Sequence, residues 1–166
     1  MHIKKATVSD AQTISTIHAS SWKSAYQGLI PQQHLDGLKN DFWVNAFEDW
    51  IGSNKVTSHI IYDHDLSIGC ITYGKSREDK FSDWGEIISI YFIPTYIGKG
   101  YGKSLMDFAL SDMKNQGYSN VYLWVLKDNK HARKFYEKVG FYCNHDTYCF
   151  NILDQSLTDV RYVIHL

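Results

Sequence analysis

The chain has no long apolar run, no block of one charge and little cysteine. None of its windows approaches 18 consecutive apolar residues, so no membrane-spanning helix is predicted. The opening MHIKKATVSD lacks the apolar stretch of a signal peptide. Three cysteines, an odd number, fit a reducing compartment better than a disulfide framework, and the expected setting is cytoplasmic. Lys and Arg are scattered singly at a formal net charge of −1, which excludes the basic stripe that nucleic-acid binding needs. Repeats, low-complexity tracts and linkers are also missing, so 166 residues read as one domain. Aromatics, by contrast, are plentiful, with 5 Trp, 12 Tyr and 8 Phe. Most of these are expected in the core, leaving a few for a small-molecule cleft.

Hydrophobic periodicity predicts a short strand at 2–6 and a helix capped by Thr7 or Ser9, running to about Tyr26 and ending near Gly28. A loop through Pro31, a short helix at 32–38 and a helix at 41–51 follow. Strands 56–62 and 66–73 flank a hairpin turn, and 75–83 is polar and loop-like. Then come a strand at 86–93, a helix at 99–116, a strand at 121–126 and a helix from Asn129 to Val139 that Gly140 stops. Strands 141–152 and 160–166 close the chain around a polar loop, 154–159. This order predicts a mixed α/β sheet in one piece.

The stretch YFIPTYIGKGYGKSL, residues 91–105, joins a strand to a helix through Pro94 and a turn holding Gly98, Gly100 and Gly102. Glycine there admits unusual backbone angles and close approach of a ligand. The following helix start aims unpaired N–H groups and positive potential outward, with Lys99 and Lys103 adding charge. A surface turn would look much the same. A P-loop fits poorly, because its first glycine would fall on Ile97 and only 62 residues follow Ser104.

A second segment, NKHARKFYEKVGF, follows one strand later at 129–141. With these two segments in this order, the chain resembles the GNAT superfamily of N-acetyltransferases. Gly100-Tyr101-Gly102 matches the core of that family's cofactor motif, and Asn129, Ala132, Phe135, Tyr136, Gly140 and Phe141 complete the downstream one. The likeness extends to KATVSDA, SWKSAYQGLIP, GEIISIYFIP and VRY, nearly the whole chain. One departure stands out: Ile97 sits where the motif carries Gln or Arg.

The resemblance implies a mostly antiparallel sheet flanked by helices and an acetyl-CoA-dependent enzyme that acetylates a small-molecule or peptide amine without a metal. A cofactor-binding module without turnover, which Ile97 favours, is the competing reading. The resemblance further implies that Tyr91, Phe92 and Ile93 lend backbone groups to the cofactor's pantetheine arm and thioester. It places the pyrophosphate on Ile97 to Lys103, with Asn129 opening the second motif. Tyr136 matches the tyrosine that acts as general acid, although Phe135-Tyr136 could equally pack helix onto sheet. An alkyl ammonium is only about 0.04% neutral at pH 7, so a base is useful. Glu86 is the candidate, provided that burial raises its pKa. Trp22, Tyr26 and Tyr73 are expected on the acceptor side, and Asp79, Asp83 and Glu86 hint at a cationic acceptor. Cys143, His145 and Cys149 do not have zinc-site spacing. The two closing strands could pair subunits into a homodimer.

Overall fold

A computed structural model describes all 166 residues. Its elements run β1 (His2–Lys5), α1 (Ala11–Ala25), α2 (Gln32–Gly37), α3 (Val44–Gly52), β2 (Thr57–Asp63), β3 (Leu66–Lys75), β4 (Gly85–Phe92), α4 (Tyr101–Asn115), β5 (Asn120–Leu126), α5 (Lys130–Lys138), β6 (Tyr142–Ile152) and β7 (Gln155–His165). The strands form one seven-stranded sheet in the order β1-β2-β3-β4-β5-β7-β6. Every pairing is antiparallel except β4 with β5. No helix is long and apolar enough to cross a membrane.

Helices cover both faces of the sheet. On one, Ala11, Ile14 and Ile17 of α1 and Phe47 of α3 bury Ile60 and Cys70. On the other, Leu105, Met106, Ala109 and Met113 of α4 pack on Ile61, Ile71, Ile87, Val121 and Leu123, and α5 adds Phe135 and Tyr136 at the margin. The spacing of the α4 residues is the i, i+4 stripe of an amphipathic helix. A third cluster seats Leu35 and Leu38 of the α2 region on Leu126 and Leu157 at the far end of the sheet.

Two features of β4 decide what the sheet can do. First, β4 and β5 share only two register pairs, Gly85 with Val121 and Glu86 with Tyr122. Beyond Glu86 the strands part. Second, Thr72 pairs with Ser89 but Tyr73 with Ile87, so Ile88 is an extra residue in β4. Such a β-bulge bends and twists its strand. It also resets the alternation of side chains, so that Glu86 and Tyr91, an odd five residues apart, face the same side of the sheet.

Element boundaries agree with the sequence expectations to within a few residues, with one exception. The region 154–159 is not a loop. Ile152 pairs directly with Gln155, leaving a two-residue turn of Leu153 and Asp154, and β7 begins five residues early. Leu153 adopts a φ of 50°, which lets the turn be this tight.

Gly69 tests the packing at the end of β4. A Cβ there would lie 2.4 Å from the Phe92 ring and 2.9 Å from the Tyr91 carbonyl oxygen. Gly69→Ala should cost about 1–3 kcal/mol in urea unfolding, the usual range for overpacking a core. A midpoint unchanged from the native chain would show that β3 and β4 yield freely here.

Candidate active site

Between β4 and α4 the chain makes a turn whose amides are free. Gly98 (φ 81°) and Gly100 (φ 89°) take the left-handed conformation, and α4 starts at Tyr101. The N–H groups of Gly98, Lys99, Gly100, Tyr101, Gly102 and Lys103 find no acceptor in the chain, while Ser104 N–H closes the first helical bond to Gly100. Six adjacent donors at the positive end of a helix dipole make a seat for a phosphate. Nothing lies within 4 Å of an added Cβ at Gly98 or Gly100, so backbone angle, not space, requires glycine at those two. Gly102 answers to packing instead, since a Cβ there would meet Phe135 at 3.2 Å. Lys103 is tied to Asp107, whereas Lys99 lies over the Tyr96 ring. Ile97 is exposed at the rim. Asn129 caps α5, its Oδ1 accepting from Ala132 N–H at 3.1 Å. Its amide nitrogen makes no bond within the chain.

The parting of β4 from β5 begins beside this seat. From Ile87 to Phe92 the β5-facing edge of β4 has no strand partner, so its N–H and C=O groups are open to an extended ligand. Tyr136 of α5 reaches this region from the α4 side, packing near Phe135, Phe141 and Tyr162. Burial pushes its phenol well above the ordinary value, with a further contribution from nearby Tyr26. Tyr26 directly follows α1, on the opposite face, and its hydroxyl lies 3.2 Å from that of Tyr91. The gap is therefore a window with Tyr136 on its α4 side and the Tyr26–Tyr91 pair on its α1 side.

On the α1 face the window opens into a cleft of about 600 Å³. Its walls are largely aromatic: Trp22, Tyr26 and Tyr91 on one side, Tyr122, Trp124 and Tyr148 on the other. Trp22 stacks into a ring cluster with Tyr26 and Trp43, yet its indole N–H is buried without an acceptor. Three carboxylates line the cleft, and two are neutralised. Glu86, 2% exposed, is gripped by Arg77, with Nη2–Oε1 at 2.6 Å and Nε–Oε2 at 3.0 Å, and the Arg77 backbone N–H donates as well at 3.2 Å. Glu78 binds Arg161 at 2.6 Å and accepts the Trp124 indole N–H at 2.8 Å. Arg161 is itself packed among the rings of Phe81, Tyr122 and Trp124, a cation–π arrangement. The third carboxylate, Asp159 of β7, has neither hydrogen bond nor ion pair within the chain, and burial alone raises its pKa from 3.8 to about 6.

Most of the residues singled out from sequence thus lie around two neighbouring sites: the turn at 97–103, the β4 edge at Tyr91 and Phe92, Asn129 and Tyr136 beside the gap, Trp22 and Tyr26 in the cleft. Ile93 lies past that edge, its N–H donating to the Ile68 carbonyl and its own carbonyl accepting from Tyr96 N–H. Two placements need correcting. Tyr73 is fully buried on the opposite face, its hydroxyl donating to Asp112 of α4 at 2.5 Å, because its register opposite Ile87 turns it away from the cleft. Glu86 does line the cleft, but all three donors of Arg77 occupy its oxygens, so it is not a free base. Asp79 and Asp83 lie outside the cleft wall, and their places are taken by Glu78 and Asp159. Arg77, Glu78, Trp124 and Asp159 went unnoticed in the sequence. Only the even spacing of Tyr122 and Trp124 along a strand could have pointed to a shared face.

Comparison with known proteins agrees with this fold. The acetyltransferase (GNAT) family pattern matches residues 20–141. An uncharacterized N-acetyltransferase of Bacillus subtilis, YuaI, is 25% identical over 129 residues, 76% of this chain and 72% of its own. The spermidine N(1)-acetyltransferase of Thermoplasma acidophilum is 24% identical over 149 residues, 85% and 88% of the two chains. Among solved structures, PaiA N-acetyltransferase of Thermoplasma acidophilum, in complex with coenzyme A, superposes with a TM-score of 0.79 at 21% identity, covering 96% of each chain. The chain belongs to the GNAT family of acetyltransferases. Its chemistry is that of an acetyl-CoA-dependent acyltransferase.

The isolation of Asp159 has a measurable cost. A carboxyl whose pKa is about 6 folded and 3.8 unfolded holds its proton longer in the native state, so stability falls as pH rises from about 4 through 6 and stays lower above. Asp159→Asn removes that penalty. The variant should be more stable than the native chain by about 2 kcal/mol at pH 7.5, and the gain should vanish near pH 4. Paired thermal melts at the two pH values check this, and an equal gain at both would refute it.

Proposed function

We propose that the protein transfers an acetyl group directly from acetyl-CoA to a primary amine that enters the aromatic cleft as a cation. The observation carrying this reading is the window between β4 and β5, which joins the amide seat at α4 to the cleft under α1. A ligand anchored by its phosphates at the first site and threaded along β4 would present its far end to the second. When bound, acetyl-CoA supplies an activated thioester and a thiol leaving group.

The residues fit that donor. The amides from Gly98 to Lys103 would take its pyrophosphate, with Lys99 the nearer free cation. The open edge of Tyr91 and Phe92 would pair with its amide-bearing arm, and the backbone N–H of Tyr91 or Phe92 is suited to a developing oxyanion. Tyr136 is suited to deliver a proton on the departing side. The burial that raises its phenol would likewise raise the proton affinity of a sulfur anion beside it, so the two stay matched. On the acceptor side, rings favour the alkyl body and positive charge of an amine. Relatives named as spermidine N(1)-acetyltransferase and ribosomal-protein alanine N-acetyltransferase point to either small polyamines or peptide amines.

The deciding experiment follows thiol release from acetyl-CoA with polyamines, aminoglycosides, amino acids and peptides. Release with at least one amine is expected. Tight binding of acetyl-CoA without release for any acceptor would favour a cofactor-sensing module instead. Tyr136→Phe should lower kcat by about 10–100-fold while leaving the acetyl-CoA Kd within about twofold. Ile97→Arg restores the charged donor that the family motif carries, and calorimetry should find acetyl-CoA bound up to about tenfold more tightly. An unchanged Kd would mean that the backbone amides already saturate the pyrophosphate.

A further inference from the structure

We propose that Asp159 is the group that receives the proton of the acceptor ammonium, resting on the amine-acetylation reading above. Glu86 starts the central strand and sits in the cleft, yet Arg77 holds both of its oxygens. Glu78 is likewise committed, to Arg161 and Trp124. Asp159 is the one carboxylate of the cleft wall left without a cation or donor from the chain.

Its position supports the role. Asp159 pairs with Leu126 of β5 and Tyr148 of β6 in register, so it stands near the end of β5 that lies farthest from the paired Gly85 and Glu86. Asp159 shares the cleft wall with Tyr26 and Tyr91, whose hydroxyls lie 3.2 Å apart at the edge of the window. The titratable and charged groups around it are Tyr26 from α1, Glu86 and Tyr91 from β4, Tyr122 from β5, Tyr148 from β6, Arg161 from β7, and Arg77 and Glu78 from the β3–β4 connection. None of the arginines shifts its titration; the carboxyl rises to about 6 through burial alone. A carboxylate near 6 is ionised at neutral pH, yet it is a stronger base than a solvated one.

The step is simple to balance. The ammonium N–H bond breaks and an O–H bond forms on the Asp159 carboxylate, leaving a neutral amine whose lone pair faces the window. The carboxylic acid then returns its proton to water at the cleft mouth. Nothing is oxidised or reduced. A charged aspartate opposite an ammonium also draws the cation in, so the same group serves binding before it serves proton transfer.

Two measurements test this. In the first, the Asp159 carboxyl is followed by carbon NMR in the protein alone and with butylammonium chloride as a probe cation. It should titrate near 6 alone and move down when the probe is added; titration near 4, or indifference to the probe, overturns the assignment. In the second, kcat is measured against pH with the fastest acceptor of the panel above, for the native chain, Asp159→Asn and Asp159→Glu. The native profile should fall below about pH 6. Asp159→Asn should lose about 100-fold at pH 7 together with that acid limb, and Asp159→Glu should recover to within about tenfold. An acid limb and rate retained in Asp159→Asn would overturn the role of Asp159 while leaving amine acetylation standing. Acetyl-CoA binding with no turnover of any amine by the native chain would overturn both.

Discussion

Everything functional in this molecule depends on two strands in the middle of a sheet ceasing to pair. β4 and β5 hold each other at Gly85 and Glu86 and then diverge. A row of unpaired backbone groups inside a sheet is costly unless something else takes up the hydrogen bonds. Helices α4 and α5 cover one side and α1 the other, so water and a bound chain are the only partners able to enter. The same divergence leaves a gap with Tyr136 on the α5 side and the Tyr26–Tyr91 pair on the α1 side. Were the ladder to continue, the sheet would be a wall between them. The bulge at Ile88 belongs to this device, because it bends β4 at the point where pairing with β5 stops.

The second organising feature is charge cancellation in the cleft. Arg77 meets Glu86, Arg161 meets both Glu78 and Asp146, and each arginine is fixed in more than one way. Arg77 forks onto Glu86 while remaining 61% exposed, so it shields that carboxylate from the mouth of the cleft. Arg161 lies among three rings and is 5% exposed, a place where a planar, weakly hydrated guanidinium is tolerated better than an ammonium. Pairing of this kind contributes little net stability, because desolvation offsets much of the attraction. What it does is orient side chains. With Glu78 and Glu86 held by arginines, Asp159 is the one carboxylate of the cleft wall without a cation partner, and a cation entering the cleft would be drawn toward it.

Much of this is legible in the sequence alone. Helical and strand periodicities located nearly every element, and the two segments at 91–105 and 129–141 located the amide seat and Tyr136. What was hidden is local and physical. A bulge adds one residue without changing composition, so nothing in GEIISIYF reveals that Ile88 resets the side-chain parity. Strict alternation would separate Glu86 from Tyr91 and gives no reason to keep Tyr73 out of the cleft. The run DQSLTD is polar enough to read as a loop, yet it is a strand, because its turn needs only Leu153 and Asp154 and because one side faces a cleft rather than a core. A strand lining a polar cleft loses the apolar alternation by which strands are recognised. Asp159 was concealed by that rule, and Arg77 and Glu78 by lying in a connection whose path no periodicity describes.

The departure at Ile97 can now be weighed against what surrounds it. Ile97 is 41% exposed at the rim of the turn, where a charged side chain would act through a solvent-screened contact. The six amides from Gly98 to Lys103 are fixed by the backbone, lose no side-chain entropy on binding an anion, and add to the helix dipole. Lys103 is drawn back along α4 by Asp107, leaving Lys99 as the mobile cation nearest the rim. The seat is therefore made chiefly of main chain. A side chain at 97 would at most tune an anion's affinity for such a seat, whereas Gly98 and Gly100, with φ of 81° and 89°, set the turn that presents the amides.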